Sequence, residues 1–379
     1  MTAATVLGLL PARPRLLALG EPTHGEDVLL DVRNDLFREL VEREGYRAIA
    51  IESDCLMGLV ADDYVTSGEG TLDDVLARGF SHGFGASPAN RELIRWMREF
   101  NEDRPASDRV HFAGFDGPLE MTHAASPRQA LLSLHAHLAA RVEADLLPCT
   151  AETLDHLLGP DDRWTDPAAM MDASQSVGQT PPAKQLRLIA DDLSALLDAQ
   201  PPGSDRARLH ARAATGLLRY HFRLADASPG RLAWLLRIRA SMMAANLLAL
   251  ADRAPTLAFA HNSHLQLPES TMRLGGEPLR WWSAGAIAGA RLGPAYAFVP
   301  TALGTIRHRG VGTPPADTVE GHLYARPDDR CVVDPRRLDA TLVPRVSPWF
   351  GYAPLDPAHL PGIDAMLFVK DSPAPPAGR

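Results

Sequence analysis

The chain is 379 residues long, 45% hydrophobic and 22% charged, with a formal net charge of −9 at pH 7. This length and this apolar fraction favour two or three structural units around a large buried core. The negative charge is spread along the chain without a long basic run, so neither a nucleic acid nor an anionic membrane is expected as a partner.

The N-terminal part of the sequence predicts a βαβ unit. A short apolar run over residues 15–21 is typical of a buried strand, and residues 26–44 place leucine and valine at helical spacing until Gly45. Residues 48–52 predict a second buried strand, which ends in a carboxylate. Because such a crossover joins parallel strands, the unit indicates a parallel sheet. The elements expected next are helices around 56–65, 72–77 and 90–100 and a third strand over 110–114.

The segment 126–252 differs in character from the rest of the chain. It is rich in alanine, leucine and arginine, lacks convincing strand patterns, and is divided by prolines into about four predicted helices. Strand patterns return at 256–260 and 295–299, and short strands are expected near 342–343 and 366–369. We therefore predict an α/β fold with a mainly parallel sheet flanked by helices, and an inserted all-helical subdomain that covers the C-terminal strand ends.

Four segments are predicted from these patterns. Residues 1–125 form the first part of the α/β core, 126–252 the helical insertion or lid, 253–371 the second part of the core, and 372–379 a disordered tail. Three cysteines without a CxxC spacing indicate a reducing compartment rather than a disulfide scaffold. No basic leader and no apolar run of bilayer length is recognisable, so we expect a cytoplasmic protein.

Ionisable side chains follow three of the predicted strands at their carboxyl ends. Gly20-Glu21-Pro22-Thr23-His24-Gly25 closes the first strand, Glu52 closes the second, and His261 and His264 follow the strand after the helical segment. Ligands of open α/β sheets bind beyond such ends, so we expect these side chains to surround one pocket for a small-molecule substrate. Two further candidates for the same rim are Arg33, in the first helix, and Asp116, after the third strand.

The candidate set contains imidazoles and carboxylates but no recognisable nucleophile. No Gly-x-Ser-x-Gly elbow, HExxH or P-loop sequence is present, and Cys55 lies outside the histidine motifs. General base catalysis fits the set best: a neutral His24 takes a proton from water, and Glu21 or Glu52 orients the ring and stabilises the imidazolium. The residues predicted to bind the substrate or its oxyanion are His261, His264, Arg33 and, more weakly, Asp116.

Two other classes of function use the same residues. His24, His261, His264 and Glu52 also make a ligand set for a divalent metal ion, which would itself activate water; otherwise no cofactor is expected. Alternatively, the pocket sequesters a small molecule, or serves a biosynthetic lyase or cyclase that uses the base without water. A single histidine at a strand end is most often structural, and Glu26 is expected only to cap the following helix.

These motifs are similar to those of the erythromycin esterase family. Residues 20–25 resemble its Gly-Glu-x-x-His-Gly motif, residues 261–264 its His-Asn-x-His motif, and Ile51-Glu52 the end of its second strand. Arg33 falls where the family carries an arginine in its first helix. Arg239-Ala240 departs from the resemblance, because the family often has Arg-Asp there, so an ion pair or substrate contact at that helix is expected to be missing.

The resemblance implies an α/β core with a helical insertion. It also implies hydrolysis of an ester or lactone by activated water, with His24 as the base and with Glu21 and Glu52 supporting it. By the same resemblance, the residues that handle the substrate and its oxyanion are His261, His264 and Arg33.

Overall fold

A seven-stranded sheet forms the centre of the fold. The computed structural model describes residues 2–120, 122–201, 203–274, 277–339, 341–347, 349 and 351–374. The strands are β1 (Leu16–Glu21), β2 (Ala48–Asp54), β3 (His111–Asp116), β4 (Thr256–His261), β5 (Ser270–Leu274), β6 (Glu277–Trp281), β7 (Tyr296–Thr305), β8 (Arg330–Val333) and β9 (Met366–Asp371). The sheet has the order β3-β2-β4-β1-β7-β9-β8, in which β8 alone runs antiparallel to its neighbour, while β5 and β6 form a separate antiparallel hairpin.

Strand β1 occupies the middle of this sheet, between β4 and β7. All six of its residues are buried, which explains why its sequence is continuously apolar rather than alternating. Leu17 and Leu19 pack into the core on one face of the sheet, whereas Leu16 and Ala18 pack into the core on the other face. The sheet is therefore covered on both faces, and the ends of its strands are where a ligand can reach it.

Helices cover both faces of the sheet. Those in the described residues are α1 (Ala3–Leu7), α2 (Asp27–Glu44), α3 (Gly58–Ser67), α4 (Leu72–Arg78), α5 (Pro88–Asn101), α6 (Arg128–Ala139), α7 (Ala151–Leu158), α8 (Ala168–Met171), α9 (Pro181–Asp198), α10 (Asp205–Leu224), α11 (Arg231–Arg253), α12 (Asn262–Leu265), α13 (Ala284–Leu292) and α14 (Val319–Tyr324). The predicted fold class, a mainly parallel sheet flanked by helices, is confirmed.

Six helices, α6 to α11, lie in sequence between β3 and β4. Several of them pack around an apolar cluster of their own that includes Leu134, Leu193 and Leu218. The sequence pattern predicts only about four helices here, fewer than the six described. Its proline positions do lie at helix boundaries, and Pro181 occupies the first turn of α9, where a missing N–H costs no helical hydrogen bond.

Smaller elements differ more from the sequence expectations. The patterns do not predict the β5–β6 hairpin or β8, and at 342–343 Val343 makes a single parallel bridge with Thr318 instead of a strand. Of the predicted disordered tail, residues 375–379 lie outside the described residues. Ser372 is buried, and its backbone N–H donates to the Thr305 carbonyl at 2.9 Å.

Helix α11 is the one helix in the described part of the chain that is long and apolar enough to cross a membrane by length and composition. A core helix of a folded domain meets the same criterion. In this protein α11 packs against α10, α13 and β3, so its apolar composition is accounted for by contacts within the fold.

Candidate active site

Four neighbouring strands end in ionisable side chains at one edge of the sheet. Glu21 is the last residue of β1, and its register partner His261 is the last residue of β4. Glu52 lies two residues before the end of β2, and Asp116 ends β3. Because β3, β2, β4 and β1 are adjacent in this order, the topology brings the four side chains to a common rim.

Gly20 permits the close approach of the chain that follows β4. A Cβ at residue 20 would overlap the amide oxygen of Asn262 and crowd the ring of Phe298. The Asn262 amide also donates to the Thr301 carbonyl at 3.1 Å, which ties the end of β4 to β7. Packing at the strand ends therefore requires glycine immediately before Glu21.

His24 is oriented by Glu21. Its Nδ1 lies 2.7 Å from Glu21 Oε1, and because the carboxylate accepts, Nδ1 carries the proton. The other ring nitrogen, Nε2, faces Glu52 Oε2 at 3.7 Å. The His24 side chain is 39% exposed, so water reaches the ring. Gly25 follows with a φ of +80°, which lets the chain turn from the histidine into α2.

The charge state of His24 differs from that of an unperturbed histidine. Burial by itself disfavours the charged ring, but the carboxylates of Glu52 and Glu21 outweigh burial and raise the pKa of His24 to about 9. The neutral His24 that the sequence-based mechanism uses is therefore the minor form at pH 7. Burial also raises the pKa of Glu21, whose Oε2 accepts no hydrogen bond from the described residues.

Glu52 binds groups from three elements. Its Oε1 lies 2.9 Å from Arg239 Nη2 and 3.2 Å from His264 Nε2, and its Oε2 accepts the His261 backbone N–H at 2.9 Å. Burial opposes ionisation of this carboxyl, but the neighbouring side chains of His264, His24 and Arg239 hold the pKa of Glu52 well below its usual range. Glu52 is therefore a carboxylate at neutral pH, and its charge acts on every imidazole around it.

Arg239 of α11 brings a positive charge to the buried carboxylates of the site. It donates to both oxygens of Asp116 over 2.6–3.1 Å as well as to Glu52. Although residue 240 is alanine rather than aspartate, helix α11 therefore still makes an ion pair. Asp116 is fully buried under Arg239 and does not line the cavity described below, so the structure gives it the part of positioning Arg239.

His261 anchors the loop that carries His24. The Ser263 backbone N–H and hydroxyl both approach its Nδ1, at 3.3 and 2.7 Å, so Nδ1 accepts and Nε2 donates to the Pro22 carbonyl at 3.2 Å. Burial lowers the pKa of His261 to about 3, which fixes this neutral form. The ring of His261 lies 5.5 Å from that of His24, between centroids. Neither His261 nor His264 lines the cavity, so their predicted contacts with substrate stay predictions.

A cavity of about 360 Å³ opens beside His24. Ionisable groups and apolar side chains share its wall, as is usual for small-molecule sites. The lining residues are Glu21, His24, Gly25, Asp27, Leu30, Arg33, Ile51, Glu52, His82, Gly83, Phe84, Ala86, Ser87, Asn90 and Phe259.

Arg33 brings a buried guanidinium to the cavity wall from α2. Its Nε and Nη2 donate to the amide oxygen of Asn34, and Nη2 also donates to that of Asn90, at 2.7–3.0 Å. The Asn90 NH2 group donates to the Phe84 carbonyl, so its oxygen is the atom left to accept. Burial lowers the pKa of Arg33 to about 10, and the group stays cationic at neutral pH above the Phe259 ring.

Sequence reasoning misses His82, which lies in the loop between α4 and α5. Its ring is packed 5.5 Å from that of Phe84, and Phe84 lies at the same distance from the ring of His24. A lone histidine in a loop carries no pattern, and its only signal is the glycine that follows it. Asn90 is missed for the same reason, whereas Arg239 stands out as a charge beside the apolar stripe of α11.

The predicted metal-ligand set does not fit this geometry. No group of three or more histidine, cysteine, aspartate or glutamate side chains is arranged to hold a metal ion in the part of the chain that the structure describes. Both ring nitrogens of His261 are engaged within the protein, and Glu52 binds Arg239. Cys55 is buried, and burial raises the pKa of its thiol well above the usual value, so it is not an activated nucleophile.

Glu26 stands at the N-cap of α2 but does not cap it. Its side chain is buried, with Oε1 2.8 Å from Arg309 Nε and Oε2 accepting the Ser372 hydroxyl. The Pro22 carbonyl accepts a further hydrogen bond from the Ala353 N–H at 2.8 Å. C-terminal segments therefore fasten both ends of the loop that carries His24.

Comparison with known proteins identifies the family of the chain. The erythromycin esterase family model matches residues 41–359, which contain Glu52, Asp116, Arg239 and both C-terminal histidines of the rim. The chain belongs to the erythromycin esterase family. Erythromycin esterase type II from Escherichia coli is 29% identical to it over 104 residues, which are 27% of this chain and 24% of that protein. The match thus spans about a quarter of the relative's length, and family membership supports an ester-hydrolase function.

Several solved structures superpose along nearly the whole chain. A Bacillus cereus protein has a TM-score of 0.71 at 17% identity, covering 94% of this chain and 88% of the other. A succinoglycan biosynthesis protein has a TM-score of 0.69 at 15% identity, with 97% and 90% covered. A histidine-to-asparagine mutant of erythromycin esterase EreC in its open conformation has a TM-score of 0.67 at 17% identity, with 98% and 93% covered. At these identities the likeness shows the fold.

Proposed function

We propose that this protein hydrolyses a small ester or lactone, using His24 as the general base that activates water. The observation that carries the proposal is the His24 ring, which is fixed by Glu21 at one nitrogen and open to water at the wall of a cavity. Proton transfer of this kind typically accelerates a reaction about 10²–10⁴-fold.

In the proposed reaction, the Glu21 carboxylate keeps the proton of neutral His24 on Nδ1. Nε2 then takes a proton from water, and the resulting hydroxide attacks the carbonyl carbon of the substrate. The imidazolium formed lies between Glu21 and Glu52, which are the charges that raise the pKa of His24. The same electrostatics that make the base strong also stabilise the charge it acquires.

Arg33 is the proposed partner of the oxyanion. Its hydrogen bonds to Asn34 and Asn90 go to neutral amide oxygens, so no carboxylate is bonded to the guanidinium in these contacts. A preorganised cation in a buried wall favours negative charge as it develops, and one good donor of this kind is worth roughly 3–4 kcal/mol. Arg239 is bound instead to Glu52 and Asp116, and its proposed part is to keep these two carboxylates ionised and in place.

The cavity volume of about 360 Å³ lies near the lower end of small-molecule sites, which favours a compact substrate. We further propose that the enzyme works in the cytoplasm, which agrees with free thiols at Cys55, Cys149 and Cys331.

A panel of alkyl and aryl esters and lactones tests the proposal. Replacing His24 by Ala should lower kcat at least ~100-fold on any substrate that the protein turns over. His156→Ala, at an exposed position of α7, is the matched control and should leave kcat unchanged. Treatment with a chelator should also leave the rate unchanged. Full activity of the His24 variant removes this residue as the base, and ligand binding without any product favours sequestration.

A further inference from the structure

The cavity contains a second imidazole besides the proposed base. His82 and His24 both line it, and each ring lies 5.5 Å from the ring of Phe84 between centroids. The two histidines come from different parts of the fold, since His24 follows β1 whereas His82 lies between α4 and α5. Phe84 thus separates two titratable rings that face one small volume.

His82 and the residue before it are held in place by contacts with Glu120 and with the end of β2. Its Nδ1 lies 2.7 Å from Glu120 Oε2, and its backbone N–H donates to Glu120 Oε1 at 3.0 Å. The preceding residue, Ser81, receives a hydrogen bond at its hydroxyl from the Asp54 N–H and donates its own N–H to Ser53. These bonds fix the loop to the end of β2, directly beside the Glu52 carboxylate.

The backbone of His82 is also in an unusual conformation. Its φ is +55°, in the left-handed region, and it is the one residue other than glycine in the described part of the chain with a positive φ. Such conformations are strained and concentrate at functional sites. The backbone hydrogen bond and the side-chain contact with Glu120 therefore hold His82 in a backbone conformation that a histidine does not favour by itself.

The second ring nitrogen of His82, Nε2, is buried. Nε2 makes no hydrogen bond with the residues that the structure describes, and it lies 3.5 Å from Asp116 Oδ2. That oxygen already accepts from two nitrogens of Arg239 at 2.6 and 3.0 Å. Burial disfavours the charged ring, but Asp116 and Glu120 outweigh burial and raise the pKa of His82. Because the raised pKa favours the protonated ring, an Nε2–H without a hydrogen-bond partner is suited to donate a proton.

We propose that His82 is the catalytic acid that protonates the leaving alkoxide, opposite the base His24. This inference rests on the proposed hydrolase function. Water loses a proton to His24 and its oxygen bonds to the carbonyl carbon, giving a tetrahedral oxyanion. When this intermediate collapses, the bond from carbon to the alkoxy oxygen breaks, and the alkoxy oxygen receives the proton from His82 Nε2. Solvent then takes the proton from His24 and returns one to His82, so no co-reactant is needed.

A dedicated acid has a consequence for the substrate class. Phenolates with electron-withdrawing groups leave as stable anions, whereas an alkoxide is a poor leaving group unless it is protonated as it departs. The site is therefore built for esters of aliphatic alcohols, including lactones, in which the leaving oxygen is an alkoxide. Glu120 serves as the positioning residue for this acid.

The test compares two esters that share one acyl group and differ in their leaving group. For the acyl group that wild-type enzyme turns over fastest, kcat/KM is measured on the ethyl ester and on the 4-nitrophenyl ester. His82→Gln should lower kcat/KM on the ethyl ester at least ~100-fold, and on the 4-nitrophenyl ester by less than about threefold. Glu120→Gln should give a smaller loss in the same direction. His156→Gln, at the exposed control position on α7, should change neither rate.

The ratio of the two rates within one variant separates catalysis from folding, because partial unfolding lowers both rates equally. Equal losses on both esters in His82→Gln, or no loss on either, would overturn the assignment of His82 while leaving the hydrolase function intact. If wild-type enzyme hydrolyses neither type of ester for any acid in the panel, the proposed function fails and the assignment of His82 fails with it.

Discussion

Raising the pH from 7 to 9 should increase kcat/KM for a 4-nitrophenyl ester by about 50-fold. The reason is the pKa of His24, which the carboxylates of Glu52 and Glu21 raise to about 9 against the effect of burial. Below this pKa the neutral base becomes tenfold scarcer with each pH unit, so about one molecule in a hundred carries it at pH 7. A 4-nitrophenyl ester isolates this step, because its leaving group needs no proton.

The substitution Glu21→Gln tests the cause of that profile. A glutamine at residue 21 retains an oxygen that accepts from His24 Nδ1 but removes one of the two charges that favour the imidazolium. Loss of an adjacent opposite charge typically lowers the pKa of a cationic group by about 1–3 units. The rise in kcat/KM should therefore move to lower pH by at least about one unit, and the plateau should fall because the new imidazolium is less stabilised.

Initial rates from pH 6 to 10, corrected for spontaneous ester hydrolysis, measure both effects. Glu102→Gln, at an exposed position after α5, is the matched control and should keep the wild-type profile. A wild-type profile that is flat between pH 7 and 9 contradicts the assignment of His24 as the base. A Glu21→Gln profile that rises at the wild-type pH contradicts the electrostatic origin of the shift.

Two further predictions concern stability. Arg239→Met removes the guanidinium that the buried carboxylates of Asp116 and Glu52 share and should lower the free energy of unfolding by about 3–5 kcal/mol in urea titrations; a loss below about 1 kcal/mol contradicts this account. Gly20→Ala pushes a methyl group into a neighbouring amide and should cost about 1–3 kcal/mol in the same assay. The control Gly312→Ala, whose Cβ would meet nothing within 4 Å, should cost clearly less.

The central sheet follows from the sequence because its strands are buried on both faces. The apolar runs that contain Leu16, Ile49 and Leu257 can be satisfied only between layers of helices. The hairpin β5–β6 and strand β8 were not predictable in the same way. In β8 only Val333 is buried, so the strand lacks a continuous apolar run.

The acidic and imidazole groups at the strand ends could be found by the rule that parallel strands end at one edge. The pKa shifts of the site and the positions of its loop residues could not be found in this way, because both depend on partners distant in the sequence. The pKa of His24 depends on Glu52, 28 residues later, and His82 depends on Glu120, which is 38 residues away. Nothing local to either histidine signals these charges.

The position of β1 also has a consequence for synthesis on the ribosome. Both of its sheet neighbours, β4 and β7, are encoded more than 230 residues downstream, as the pairing of Leu16 with Thr256 and Tyr296 shows. Until they emerge, β1 has two open edges and an apolar surface, a state prone to aggregation and to chaperone capture. The nascent chain therefore cannot complete the pairing of β1 until residues 296–305 have been translated.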